Sequence, residues 1–149
     1  MSMVICGFSG IGKSTAERKS RDVTDMESSG YSWIFENGET KRNPAFPENY
    51  INELKKNTEE YSAGHYFLLS CHQAVRDCLQ SNGIPYIIVL PRRDLKNEYM
   101  KRWLLRGSTI EFIENMYGAW DEMIDSCEKD SSPKIYLESG EYISDILWM

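Results

Sequence analysis

Residues 7–14 read GFSGIGKS and match the pattern GxxxxGK[ST], in which a glycine-rich loop turns its backbone N–H groups onto the oxygens of a polyphosphate. The neighbouring residues supply the context such a loop needs. Met3 to Cys6 is an apolar run ending at Gly7, as a buried strand entering a tight loop does, and Lys13 to about Ser20 has the composition of a short helix. A chain that opens with strand, glycine loop and helix is committed to an α/β fold with the loop at the carboxyl edge of its sheet. The glycines permit close backbone approach, Lys13 places an ammonium beside the β and γ phosphates, and Ser14 offers a hydroxyl to Mg²⁺. Ser9, Gly10, Ile11, Gly12, Lys13, Ser14 and Thr15 are therefore expected to surround a nucleoside triphosphate.

The rest of the chain continues the alternation. Asp22 to Asp25 reads as a second strand, and Tyr31 to Pro47, with Gly38, Asn43, Pro44 and Pro47, as an irregular excursion within an insertion at about 28–47. Pro47-Glu48 opens a helix to about Glu60. Tyr66 to Leu69 and Tyr86 to Leu90 are apolar runs, separated by Ala74, Val75, Cys78 and Leu79 at helical spacing and by the stop signal Asn82-Gly83. That strand, helix, strand unit implies parallel pairing. Leu95, Tyr99, Met100, Trp103 and Leu104 repeat at helical period up to Gly107, giving a short helical lid at about 92–108. Thr109 then caps one longer helix with Ile110, Ile113, Met116, Trp120 and Ile124 on a single stripe. Ile135 to Leu137 supplies a last strand and Tyr142 to Trp148 a closing helix. The expected architecture is one domain over residues 1–149, with a parallel sheet between helices on both faces.

Composition narrows the function. The 41% hydrophobic content excludes disorder as the main state. A net charge of −6 disfavours nucleic-acid partners, whose binding needs clustered positive charge, but leaves small phosphorylated ligands open. The longest apolar run is Ile87 to Leu90, far short of the ~20 residues of a membrane span. The opening MSMVICGFSG has no basic segment followed by an apolar one, so a cytoplasmic location is expected. Cys6, Cys71, Cys78 and Cys127 lack metal-site spacing and read as buried thiols, and His65 and His72 as structural residues.

Four further groups point to phosphoryl transfer. Arg102 and Arg106 are four apart on one helix face, where two guanidiniums could offset the charge that spreads over a transferring phosphoryl group. Glu98, at the same spacing before Arg102, offers the alternative of a surface ion pair. Asp25 and Glu27 alternate at the end of a strand, facing one side near the loop, where Asp25 could hold Mg²⁺ or take a proton. Ser28, Trp33 and Arg42 lie in the insertion and are candidates, with Glu27, for binding the acceptor; Arg42 would receive its phosphate. The guanine-reading NKxD and the DxxG of switch GTPases are absent, as is an Asp-Glu pair after an apolar strand.

With these segments in view, the sequence resembles the small P-loop kinases of nucleosides and nucleotides, and among them short adenylate-kinase-like members found in bacteriophages. The resemblance runs from GFSGIGKS through VTDMESSGYSW, TKRNPAFPENYI, YIIVLP and EYMKRWLLRG to EYISDI. It implies five parallel strands in the order 2-3-1-4-5, ATP and Mg²⁺ at the loop, an arginine-bearing lid and, in a phage, action in the host cytoplasm. The leading expectation is transfer of the ATP γ-phosphoryl to a nucleoside or deoxynucleoside monophosphate, with Lys13, Arg102, Arg106 and Asp25 catalytic and Ser14 and Asp25 on the metal. A hydroxyl acceptor (nucleoside, sugar, small metabolite or polynucleotide 5′ end) and a non-catalytic nucleotide-binding regulator are the alternatives.

Overall fold

A computed structural model of the chain describes residues 2–61 and 64–147. In chain order, β1 (Met3–Gly7) is followed by α1 (Lys13–Lys19), β2 (Val23–Asp25) and the one-turn α2 (Ser29–Ser32). The hairpin β3 (Trp33–Glu36) and β4 (Glu39–Arg42) leads to α3 (Glu48–Glu60), β5 (Tyr66–Ser70), α4 (Gln73–Ser81) and β6 (Ile87–Pro91). A 3₁₀ turn (Arg93–Leu95), α5 (Lys96–Leu105), α6 (Ile110–Gly118), α7 (Trp120–Lys129), β7 (Lys134–Leu137) and α8 (Ile143–Leu147) complete it. Trp148, the expected last residue of the closing helix, lies outside the described residues.

Five strands form one parallel sheet in the order β2-β5-β1-β6-β7. Its centre is apolar on both faces: Ile5, Phe67, Leu68, Leu69, Ile88, Val89 and Leu90 are all buried, as strands between two helical layers must be. The right-handed crossover rule puts α1 on one face and α3 and α4 on the other. In agreement, α1 packs with α8, and α3 with α4. The register sets Asp25 level with Leu68, and Leu68 level with Ile5, two residues before the loop begins at Gly7. The second carboxylate-bearing strand thus ends beside the root of the phosphate loop.

The observed strand order, β2-β5-β1-β6-β7, carries different numbers from the expected 2-3-1-4-5 only because β3 and β4 enter the chain between β2 and β5 and pair only with each other. Two features differ from the sequence-based expectation. Strands β3 and β4 replace the irregular stretch expected at Tyr31 to Pro47. Their turn is Asn37-Gly38, with φ of 53° and 75°, the two positive values of a tight hairpin turn. Every residue of both strands is exposed, so no apolar alternation marked them. Finally, the long helix after Thr109 is two helices that meet at Ala119, whose φ and ψ are −95° and 4°. The break turns Trp120 inward onto Phe8, with ring centroids 5.2 Å apart. Thr109 does cap, accepting a hydrogen bond from the Phe112 N–H at 3.1 Å.

A buried ion pair ties the helical layer on the α4 side together. Arg76 of α4 donates to the Ser126 carbonyl at 3.2 Å and to Asp130, at the end of α7, at 3.0 Å; their side chains are only 4% and 2% exposed. Burial alone would raise the Asp130 carboxyl, but hydrogen bonds from Tyr86, the Ser132 N–H and Arg76 outweigh it and hold it down at about 2. A depressed carboxyl stabilises the fold above its ordinary 3.8, and the contribution is lost as pH falls toward 2. Replacing Arg76→Ala leaves Asp130 buried and unpaired, which should cost about 3–5 kcal/mol at pH 7. Thermal melts check this: the gap between wild type and variant should shrink as the pH is lowered through that window, and a constant gap would place the effect in packing alone.

Candidate functional site

The glycine loop, the ends of β2 and β5, and the face of α5 and α6 enclose one cleft of about 710 Å³ at the carboxyl edge of the sheet. Its loop residues are Gly7, Ser9, Gly10, Gly12, Lys13, Ser14 and Thr15, so of the expected set only Ile11 faces elsewhere. Ile11 is fully buried in the core and anchors the loop, its carbonyl accepting the Ile143 N–H at 2.8 Å. Gly10 and Gly12 have φ of 97° and 90°, where a side chain is strained. Both also lie under aromatic rings. A Cβ on Gly10 would stand 3.0 Å from the Trp103 indole nitrogen, and one on Gly12 would stand 2.9 Å from the Tyr142 ring.

Lys13 is folded along the loop, donating to the carbonyls of Gly7 at 2.9 Å and Phe8 at 3.3 Å. Burial lowers its ammonium from the ordinary lysine value. Asp25 faces the same space. Burial, with Glu27 and Glu17 nearby, pushes its carboxyl up to about 6 against the pull of Lys13. Its Oδ1 is buried and has no hydrogen-bond partner among the described residues, and the same holds for the Ser70 hydroxyl at the end of β5. Both residues line the cleft, so two unsatisfied polar atoms lie buried in side chains of one cleft wall, an arrangement that calls for an explanation such as a bound partner. Glu27 and Ser28 also line the cleft.

The two lid arginines have separate fates. Arg106 is exposed on the cleft, held there by Ser9 Oγ at 2.9 Å and Ser108 Oγ at 2.8 Å, and burial of its surroundings lowers its guanidinium. Arg102 is buried and engaged. It donates to the Gly10 carbonyl at 3.0 Å, the Glu141 carbonyl at 2.7 Å and Glu98 at 3.1 Å. Its guanidinium carbon lies 4.3 Å from the Tyr99 ring centroid and 3.9 Å from that of Tyr142. Arg102, for which a catalytic role was expected, lines the cleft, and through its bonds to the Gly10 and Glu141 carbonyls it also holds the glycine loop in place. The segment at 92–108 is a buttress as much as a lid: Tyr99 and Trp103 are fully buried, and Trp103 donates to the Ser9 carbonyl at 3.2 Å.

The insertion splits in the same way. Trp33 and Arg42 face each other across the hairpin, 4.6 Å from guanidinium carbon to ring centroid, and neither lines the cleft. Arg42, expected to receive the acceptor phosphate, is not among the residues lining the cleft, although its charge acts on His72 of the cleft wall. Among the polar cleft residues not expected at the site are Arg18, Ser70 and Tyr142, and His72, read mainly as structural but close to the ligand edge of the sheet, also lines it. Arg18 was legible from its position four after Ser14 on one helix, and Ser70 and His72 from their place at a strand's carboxyl end. Burial, with the charges of Lys13 and Arg42 nearby, lowers the His72 imidazole from the ordinary histidine value. Nothing in the sequence marked Tyr142, which arrives from a loop more than a hundred residues after the one it touches.

The chemistry of the donor set fits Mg²⁺ as a partner of bound phosphate. Among the described residues no cluster of three or more His, Cys, Asp or Glu could cage a metal by itself. Mg²⁺ seldom needs one, since it keeps waters and takes one or two protein oxygens plus phosphate. Ser14 and the free oxygen of Asp25 answer that description. All four cysteines are free and buried, and among the described residues no helix is long and apolar enough to cross a membrane.

The raised Asp25 carboxyl carries a testable sign. Its folded value is above its ordinary one, so it favours the folded state at low pH and the contribution is lost as pH rises through about 6. Asp25→Asn, which mimics the neutral form, should raise the melting temperature at pH 8 and change it little at pH 4; the opposite trend would mean that the carboxylate is well solvated. No protein-family model matches the chain, and no curated protein is significantly similar to it.

Proposed function

We propose that this chain is a phosphotransferase of the P-loop kinase type, moving the γ-phosphoryl group of ATP or a related nucleoside triphosphate to a small acceptor. The observation that carries this reading is the meeting of Lys13, Ser14 and Asp25 in one cleft beside the glycine loop, with one buried oxygen of the Asp25 carboxylate left without a partner. The parallel sheet with the loop at its carboxyl edge supports the same class of fold.

Lys13 exchanges its two loop carbonyls for phosphate oxygens, which restores a charged partner to a buried ammonium. Arg106, tethered to Ser9, adds a second cation at the transferring group. Ser14 would hold Mg²⁺, which when bound neutralises charge on the β and γ phosphates. Asp25 orients the acceptor hydroxyl and takes its proton, a task suited to a carboxyl near 6. A hydroxyl acceptor is favoured over a monophosphate because Arg42, the group that would have met an acceptor phosphate, is off the cleft. The monophosphate reading keeps one supporting observation, the exposed Arg106 guanidinium on the cleft wall.

Radiolabelled γ-phosphate transfer from ATP with Mg²⁺, over panels of nucleosides, sugars, small alcohols and nucleoside monophosphates, tests the proposal. Turnover with a hydroxyl acceptor is expected, with kcat/KM rising through about pH 6. Asp25→Asn should lower it by about 10²–10⁴-fold. Turnover with monophosphates alone would move the acceptor to the second reading. Tight ATP binding with no transfer to any acceptor would leave a regulatory nucleotide-binding protein instead.

A further inference from the structure

We propose that the triphosphate end of the cleft does not discriminate between bases: it grips the polyphosphate and meets the base only through a flat contact with the Arg18 guanidinium and the Tyr142 ring. This rests on the triphosphate reading above and specifies its donor.

The loop gives the cleft two ends. Ser9 lies against Trp103 and Arg106, and Gly12 against Tyr142. In a loop of this type the lysine meets the β and γ phosphates and the first residues of the helix meet the α phosphate. The transferring group therefore lies toward Ser9, Lys13 and Asp25, and sugar and base emerge past Thr15. On that side α1 carries Arg18, exposed and tethered to Thr15 Oγ1 at 3.2 Å.

Three groups near this end could meet a base: Arg18, Tyr142 and Arg102. Arg102 is committed to two carbonyls and a carboxylate, and its guanidinium is covered by the Tyr99 and Tyr142 rings, which leaves it unavailable for stacking on a base. It also covers part of Tyr142, which keeps 42% of its surface exposed. Among the described residues no side-chain amide or carboxylate lines the cleft on the Thr15 side. Strong discrimination between similar ligands requires buried hydrogen-bonding groups that a wrong ligand leaves unpaired. The Arg18 guanidinium and the Tyr142 hydroxyl can hydrogen-bond, but both residues are exposed, so a wrong base leaves no buried group unpaired, and cation–π contact and stacking accept any base, since every base has a π face. The ATP implied by the family resemblance is then one donor among several.

Calorimetry on the full chain with Mg²⁺ and, in turn, ATP, GTP, CTP, UTP and inorganic tripolyphosphate tests this. The four nucleotides should bind with dissociation constants within about tenfold of one another. Arg18→Gln should weaken all four by about two- to fivefold and leave tripolyphosphate unchanged. Arg18 is exposed on a surface helix, and the wild-type comparison needs no variant. A preference of about a hundredfold or more for one base, with tripolyphosphate still bound, would overturn base indifference and leave the triphosphate reading standing. An equal loss for tripolyphosphate in the Arg18 variant would make that residue a phosphate ligand and overturn its assigned role. No heat from any of the five would overturn the triphosphate reading itself, and this inference with it.

Discussion

The glycine loop holds its shape because its carbonyls are gripped by side chains. A loop that presents N–H groups to a ligand must turn its C=O groups away, and those need donors of their own. Arg102 takes the Gly10 carbonyl and Trp103 the Ser9 carbonyl, while Lys13 holds those of Gly7 and Phe8. The donors on α5 are placed by burial of Tyr99 and Trp103, which pack edge-on or tilted with Phe8 and Trp120 in an aromatic cluster beside the loop. An ion-pairing arginine and two buried rings thus connect the β6 side of the sheet to the binding edge. The same contacts explain why positions 10 and 12 cannot carry a Cβ.

This arrangement divides labour among the positive charges. A guanidinium bonded to two carbonyls and a carboxylate and covered by two rings has three of its five donors taken, so Arg102 orders the loop, whereas Arg106, one turn later, keeps its exposure. Lys13 lies between these cases: its present acceptors are neutral carbonyls, weaker partners than phosphate, so a polyphosphate can displace them. Asp25 complements it from the neighbouring strand end. Burial raises this carboxyl and Lys13 draws it down, leaving it near neutrality, where a small change in surroundings shifts its protonation.

Most of the scaffold was legible in the residues themselves. The apolar runs at Val4 to Cys6, Phe67 to Leu69 and Ile88 to Leu90 marked strands buried on two faces, and the helices at 48–60 and 73–81 carried clear stop and start signals. The hairpin at 33–42 was not, although Asn37-Gly38 is a strong turn signal, because strands exposed on both faces carry no alternation to flank it. The break at Ala119 also escaped: Ile113, Met116, Trp120 and Ile124 fit one continuous stripe, and only the pull of Trp120 into the aromatic cluster separates α6 from α7.

The sequence alone determined the make-up of the loop, since glycines at these spacings set its backbone freedom and Lys13 and Ser14 place one ammonium and one hydroxyl beside it. It also determined the parallel sheet, because strand, helix, strand connections of this length admit no other pairing. Only the tertiary structure decided which of two identical side chains four residues apart would hold the loop and which would face the ligand. It alone set Arg42 on a hairpin outside the cleft lining and brought Tyr142 against Gly12. Helical spacing puts residues on a common face, but which of them is consumed by a carbonyl or a ring depends on what packs opposite, and that partner comes from distant parts of the chain.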